Sequence, residues 1–127
     1  FSNIVIKKMM VKKSGSIIFI SSKAATDAVP GRLAYSTSKS SLITTTKILS
    51  KELGRYKIRV NAIAPGVIDT DMTNTQLNKD DINNILKTIP LKKIGTTKNI
   101  SDLVTFLCSE ESDYINGQLI KIDGGQY

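Results

Sequence analysis

Tyr35 and Lys39 stand one helical turn apart in Tyr35-Ser36-Thr37-Ser38-Lys39, and Ser22 closes an apolar run just upstream. On a helix, positions i and i+4 share a face. An ammonium beside a phenol favours the phenolate. A lone phenol, with an ordinary pKa of about 10, moves protons poorly at neutral pH. The pair is therefore expected to transfer a proton near neutrality. Ser22 follows Ile17-Ile18-Phe19-Ile20-Ser21, so its hydroxyl falls at the end of a strand, where it can hydrogen-bond a substrate oxygen. Each residue also has an ordinary use: Tyr-x-x-x-Lys as a surface pair, Ser-Ser as turn chemistry. The chain contains no histidine, which removes Ser-His-Asp and Cys-His catalysis and leaves no metal site expected.

The elements that must position these residues alternate. Residues 2–12 read as a helix end with Ile4, Val5 and Met9 on one stripe. Lys12-Lys13-Ser14-Gly15 stops it, a glycine after a basic last turn. Residues 16–21 read as a strand whose unbroken apolar run suits burial on both faces of a parallel sheet. Residues 22–33 read as a loop around Pro30-Gly31. A long helix over 34–55 carries Tyr35 and Lys39, with Leu42, Thr46, Leu49 and Leu53 on one side and Gly54 at its end. A second strand, 58–63, is broken by Pro65-Gly66. Pro65 has no N–H and Gly66 admits unusual dihedrals, so this backbone can press against a flat ligand; the plainer reading is a strand-ending turn. Asn78 caps a short helix over 79–88, ended by Pro90. A third helix over 97–109 follows the i, i+3, i+4, i+7 pattern in Ile100, Leu103, Val104 and Leu107. Residues 118–122 form a last strand. The alternation predicts an α/β fold, three parallel strands with crossover helices.

Five ordered blocks resemble the short-chain dehydrogenase/reductase family: Gly15-Ser-Ile-Ile-Phe-Ile-Ser-Ser22, then Tyr35 with Lys39, then Ile58 through Met72 with its Pro65-Gly66 loop, then Tyr114-Ile115-Asn116-Gly117, then Ile122-Asp123-Gly124-Gly125. Within it the nearest likeness is to 3-oxoacyl-(acyl-carrier-protein) reductases. The resemblance implies that Ser22, Tyr35 and Lys39 are catalytic, with Ser22 and Tyr35 on the substrate oxygen and Tyr35 as general acid/base. It implies an NAD or NADP cofactor, touched by Tyr35, by Lys39 at the nicotinamide ribose, and by the Pro65-Gly66 loop. Ile68 then meets the carboxamide through its backbone, and Thr70 meets the carboxamide or a phosphate. Residues 71–93 correspond to a mobile lid over the substrate. Neither Gly-x-x-x-Gly-x-Gly nor Gly-x-Gly-x-x-Gly occurs in the chain. Residues 1–127 are thus expected to be the C-terminal, catalytic half of a Rossmann-like doubly wound domain whose dinucleotide-binding half, with a catalytic asparagine, lies outside them.

Length and about 40% apolar residues suit one globular domain. No run of 18 apolar residues is present, so no spanning helix and no membrane partner are expected. A single cysteine, Cys108, rules out an internal disulfide and fits a cytoplasmic setting. The net charge of +7 is spread along the chain without a nucleic-acid motif, so no nucleic-acid partner is expected. Lys12 and Lys13 before the first strand and Arg55 and Lys57 after the long helix form an acceptor for an acidic carrier protein if they meet in space. The expected substrate is a small carbonyl/alcohol compound or an acyl-carrier-bound one. The resemblance implies a homo-oligomer, a tetramer or a dimer. The rival reading is a non-catalytic fragment that keeps the fold as a binding or assembly module.

Overall fold

The computed structural model describes residues 2–27 and 29–126. Helix α1 (Ser2–Lys12) leads into β1 (Gly15–Ile20), a short α2 (Ala24–Asp27) and the long α3 (Leu33–Leu53). One 3-10 turn, Gly54–Tyr56, precedes β2 (Ile58–Pro65). Then come β3 (Ile68–Asp69), α4 (Asp71–Gln76), α5 (Lys79–Thr88), β4 (Gly95–Thr96), α6 (Thr97–Cys108), a second 3-10 turn and β5 (Leu119–Ile122). The main sheet has the order β1-β2-β5 and both pairings are parallel, as the alternation predicts. Among the described residues no helix is long and apolar enough to cross a membrane.

β2 is the axis of the sheet. Ile58, Val60, Ala62, Ile63 and Ala64 are all fully buried. Its alternate residues feed two different layers. Ile58 and Val60 pack with Ile17 and Phe19 of β1 and with Ile6, Met9 and Met10 of α1 and Leu49 and Leu53 of α3. On the opposite face Ser16 Oγ donates to Leu107 O of α6 at 2.8 Å. There the Arg59 guanidinium donates to Ser112 Oγ and Ser109 O at 2.9 and 3.0 Å. Helices on both faces of a parallel sheet make this a doubly wound arrangement.

Buried polar groups on β2 align β5. Asn61 is completely buried; its Nδ2 donates to Ile115 O at 2.8 Å, and its Oδ1 accepts from Gln118 N–H at 3.0 Å. Asn116 answers from the other side: its Oδ1 accepts from Val60 N–H at 2.8 Å and its Nδ2 donates to Ser50 O of α3. Both carboxamides use donor and acceptor at once, which only this register allows.

Several local expectations are corrected. Gly15 does not stop α1; it begins β1, and a Cβ there would stand 2.6 Å from Met9 Sδ, so the glycine lets α1 lie close to the sheet. The left-handed residue that ends α1 is Lys13, at φ 50°. Likewise α3 gives way at Leu53 to the 3-10 turn, Gly54 stays right-handed at φ −56°, and Lys57 takes the left-handed position at φ 56°. β2 runs on through Pro65, and the break comes at Gly66. The 22–33 segment contains α2, and 71–93 contains α4 as well as α5. The inner side of α3 is the one the sequence marks, with Thr46 and Leu53 buried and Leu42 and Leu49 half-buried, and Ser50 joins it. Thr46 and Ser50 donate to Leu42 O and Lys47 O within the helix, so hydroxyls are buried without loss of partners.

Replacing Asn61 with Ala leaves Ile115 O and Gln118 N–H without their partner beside a fully buried position. A loss of about 1–3 kcal/mol in unfolding free energy is expected, the cost of one buried group left unsatisfied, since Gln118 is exposed and water can reach its N–H. Urea denaturation of the natural protein checks this, with the m-value unchanged.

Candidate active site

The parallel register of β1 on β2 continues past the end of β1. Ser21 N–H donates to Ile63 O at 2.8 Å and Lys23 N–H donates to Pro65 O at 2.9 Å. Ser22 lies between these two bonds, so it is held beside the end of β2 and the Pro65-Gly66 loop. Its Oγ accepts from Ala24 N–H at 3.2 Å, which starts α2. Lys23 pairs with Asp27 across one turn of α2, and Lys121 of β5 reaches the same carboxylate at 3.6 Å. The hydrogen bond from Lys23, then that from Thr26, holds the Asp27 carboxyl below its ordinary pKa. That contribution to stability is present at neutral pH and is lost as pH falls through the depressed carboxylate range.

Tyr35 and Lys39 come from the first turns of α3. Lys39 Nζ lies 6.0 Å from the centroid of the Tyr35 ring and donates to Ile20 O at 3.0 Å. The ammonium is therefore tethered to the carboxyl end of β1 while facing the phenol. Tyr35 is 45% exposed. The backbone beneath is fixed by a residue that no sequence motif marks. Ser21, only 3% exposed, donates its Oγ to Lys39 O at 2.8 Å. One serine thus ties β1, β2 and α3 together next to Ser22. A hydroxyl in a Ser-Ser pair carries no sequence signal for that role; only the end-on approach of α3 to the strand reveals it. Ser40 adds a second tie, donating to Ala25 O of α2 at 2.7 Å.

The structure brings Ser22, Tyr35, Lys39 and Pro65 to the carboxyl ends of β1 and β2, the place where open α/β sheets take ligands. It gives the rest of the loop duties within the fold. A Cβ on Gly66 would stand 2.8 Å from Asp123 Cβ and 2.9 Å from Asp123 Cα. Gly66 is therefore required by the close packing of the C-terminal turn, and on that side the plainer reading of a strand-ending turn holds. Ile68 sits in the two-residue parallel pairing of β3 with β4, opposite Gly95, and its carbonyl accepts from Thr73 Oγ1 at 2.7 Å. Thr70 is the N-cap of α4: its Oγ1 accepts from Thr73 N–H at 3.3 Å. Because the Thr73 hydroxyl proton goes to Ile68 O, the 3.1 Å contact between the two hydroxyls is donated by Thr70. A cleft behind the loop is lined by Val67, Ile68, Leu91, Lys93, Gly95 and Asn99; none of Ser22, Tyr35 or Lys39 borders it. Tyr35 is exposed, and Ser22 and Lys39 are half-buried.

Of the basic residues singled out at the two helix ends, Arg55 borders a cleft that also holds Glu52, and Lys12, Lys13 and Lys57 do not border it. Met10 of α1, Lys51 and Tyr56 line the same shallow cleft, and the Arg55 guanidinium lies 4.9 Å from the Tyr56 ring centroid.

A family model described as Enoyl-(Acyl carrier protein) reductase matches residues 2–126. A 3-oxoacyl-(acyl-carrier-protein) reductase of Chlamydia trachomatis is 46% identical over 121 residues, covering 95% of this chain and 48% of the relative. Among solved structures, a 7α-hydroxysteroid dehydrogenase complexed with NADH and 7-oxo glycochenodeoxycholic acid superposes with a TM-score of 0.95 at 30% identity. The match covers 98% of this chain and 49% of that one. A short-chain type dehydrogenase/reductase from Mycobacterium ulcerans gives a TM-score of 0.89 at 30% identity, over 95% of this chain and 44% of that one. The chain thus spans about half the length of the relatives it matches. By its fold, its matched family model and these relatives, the chain belongs to the short-chain dehydrogenase/reductase family.

Proposed function

We propose that the protein is an NAD(P)-dependent oxidoreductase that interconverts a carbonyl and an alcohol, with a 3-oxoacyl group on an acyl carrier as the substrate its relatives favour. The observation that carries this reading is the Lys39 ammonium, set between the Tyr35 ring and the Ile20 carbonyl at the carboxyl end of β1. Ser22 is pinned beside the same strand ends.

The residues present fit a nicotinamide dinucleotide. Lys39 donates one of its three ammonium protons to Ile20 O, so others are available to ribose hydroxyls. Pro65 ends β2 beside Ser22, where a ring can lie against loop backbone. Ile68, through its backbone, would hold the carboxamide, and Thr70 would hold the carboxamide or a phosphate once part of its cap is released. The dinucleotide, when bound, supplies or accepts the hydride. Ser22 Oγ hydrogen-bonds the substrate oxygen and orients it. Tyr35 Oη gives its proton to that oxygen during reduction and takes it back during oxidation. Lys39 stabilises the negative charge left on Oη, an arrangement that gains strength as substrate and cofactor displace water. The chain thus supplies the proton-handling side of the site, and α4 and α5 form the lid that covers the substrate.

The same reading makes the protein a homo-oligomer, a tetramer or a dimer, as the family resemblance implies. The cytoplasm suits a chain with one exposed, unpaired cysteine, Cys108.

Replacing Tyr35 with Phe in the natural protein is expected to lower kcat by about 10²-fold or more, the usual worth of a positioned acid/base group. Dinucleotide affinity, read by fluorescence, should stay within a few fold. Turnover of a 3-oxoacyl thioester near the normal rate in that variant contradicts the role. Ser21→Ala removes the tie between β1 and Lys39 and is expected to cost about 1 kcal/mol of stability. It should also lower kcat more than it raises the dinucleotide Kd, because the displaced group is the Lys39 backbone at the reacting end. A fall in melting temperature with kinetics unchanged would assign Ser21 to folding alone.

A further inference from the structure

The C-terminal turn touches both the loop after β2 and the end of α5. Gly66 N–H donates to Ile122 O at 3.0 Å. A Cβ on Gly66 would stand 3.5 Å from Oε1 of Gln126, so the Gln126 carboxamide lies against this loop. On its other side, Gln126 Nε2 donates to Thr88 Oγ1 at 3.0 Å. The polarity is set by the neighbours. Thr88 gives its only hydroxyl proton to Ile85 O, 2.8 Å away, so its oxygen accepts from Gln126. A carboxamide can donate there; a carboxylate cannot.

Little else holds α5. None of its residues is buried, although Ile82, Ile85 and Leu86 give it an apolar side. The segment just beyond its C-terminal end is firmly seated. Ile89 is 1% exposed and lies against Gly124, where a Cβ would come within 2.8 Å of Ile89 Cγ2, and Leu91 N–H donates to Gly124 O at 3.3 Å. Gly124 and Gly125, at φ 67° and 78°, form the turn, and Asp123 Oδ1 accepts from Gly125 N–H at 3.0 Å. The helix is thus tethered at one end to the C-terminal turn. A segment with few buried contacts takes its position from such ties.

We propose that Gln126 is a positioning residue: its carboxamide latches the C-terminal end of α5 to the turn packed under Pro65-Gly66, and so sets where the lid closes over the substrate. This rests on the reading of α5 as the lid of a carbonyl site. Gln126 acts through Thr88 and touches no reacting atom. The latch couples lid position to the loop that faces the cofactor, because both lean on the same carboxamide.

The test uses the natural protein with Gln126→Ala, Thr88→Val, their double variant and Thr88→Ser, read two ways. In steady-state reduction of a 3-oxoacyl thioester, each of the first two should raise KM about fivefold, the factor carried by one net hydrogen bond. The kcat and the dinucleotide Kd should change less than about twofold. The double variant should be no worse than either single one, and Thr88→Ser should match the parent. In hydrogen exchange read by mass spectrometry, the α5 amides should exchange faster in Gln126→Ala and Thr88→Val but not in Thr88→Ser. Gln126→Glu, which keeps the shape and loses the donor, should behave as Gln126→Ala at neutral pH, and it serves in place of the alanine variant if that one does not fold. Additive effects of the two single variants, or α5 exchange unchanged in Gln126→Ala, overturn the latch. A protein that shows the exchange pattern yet reduces no carbonyl substrate keeps the latch and refutes the reductase reading.

Discussion

The parallel register of β1 on β2 is the constraint on which the site depends. Gly15 stands opposite Ile58 and Ile20 opposite Ile63, and the same pairing continues as Ser21 N–H to Ile63 O and Lys23 N–H to Pro65 O. A slip of β1 by one residue would turn Ile17 and Phe19 away from Ile58 and Val60 and from α1 and α3. It would also carry Ser22 to the other side of the sheet end. The burial that stabilises the fold and the placement of the candidate hydroxyl are therefore one arrangement.

That register also sets where the helices lie. α3 approaches the strand end at Lys39, and the approach is fixed twice: Ser21 Oγ to the Lys39 carbonyl and Lys39 Nζ to the Ile20 carbonyl. Backbone and side chain of the same lysine are held by consecutive residues of one strand. Rotation of Lys39 away from Tyr35 thus requires breaking bonds at the end of that strand. Preorganisation of this kind lets a site stabilise charge without rearranging during reaction.

Much of this is legible in the sequence, and the illegible parts share causes. The Tyr35/Lys39 spacing marks a helix face, the apolar runs mark β1 and β2, and the Leu103, Val104 and Leu107 pattern marks α6, because each is a periodic signal several residues long. β3 and β4 are hidden because two residues carry no period; Gly95 and Ile68 meet only through the tertiary fold. Helix ends are misplaced where glycine is read as the stop. Lys13 and Lys57 take the left-handed positions, while Gly15 is used for close approach and Gly54 stays right-handed. Thr70 draws a ligand reading from resemblance, and the structure shows the helix-capping use that Thr-x-x-Thr at a strand end also serves. The Gln126–Thr88 contact lies beyond sequence reasoning, since nothing local couples two residues on separate elements.

Family membership brings a reaction class, and the proposed chemistry rests on Ser22 and Tyr35 at one substrate oxygen with Lys39 beside the Tyr35 ring. A crystal structure of the natural protein with a nicotinamide dinucleotide and an unreactive carbonyl analogue measures this most directly. The account predicts the analogue's oxygen within hydrogen-bond reach, about 2.6–3.2 Å, of both Ser22 Oγ and Tyr35 Oη, with Lys39 still at Ile20 O or moved onto the ribose. An oxygen bound away from both hydroxyls, or a Lys39 side chain turned from the Tyr35 ring, would contradict it.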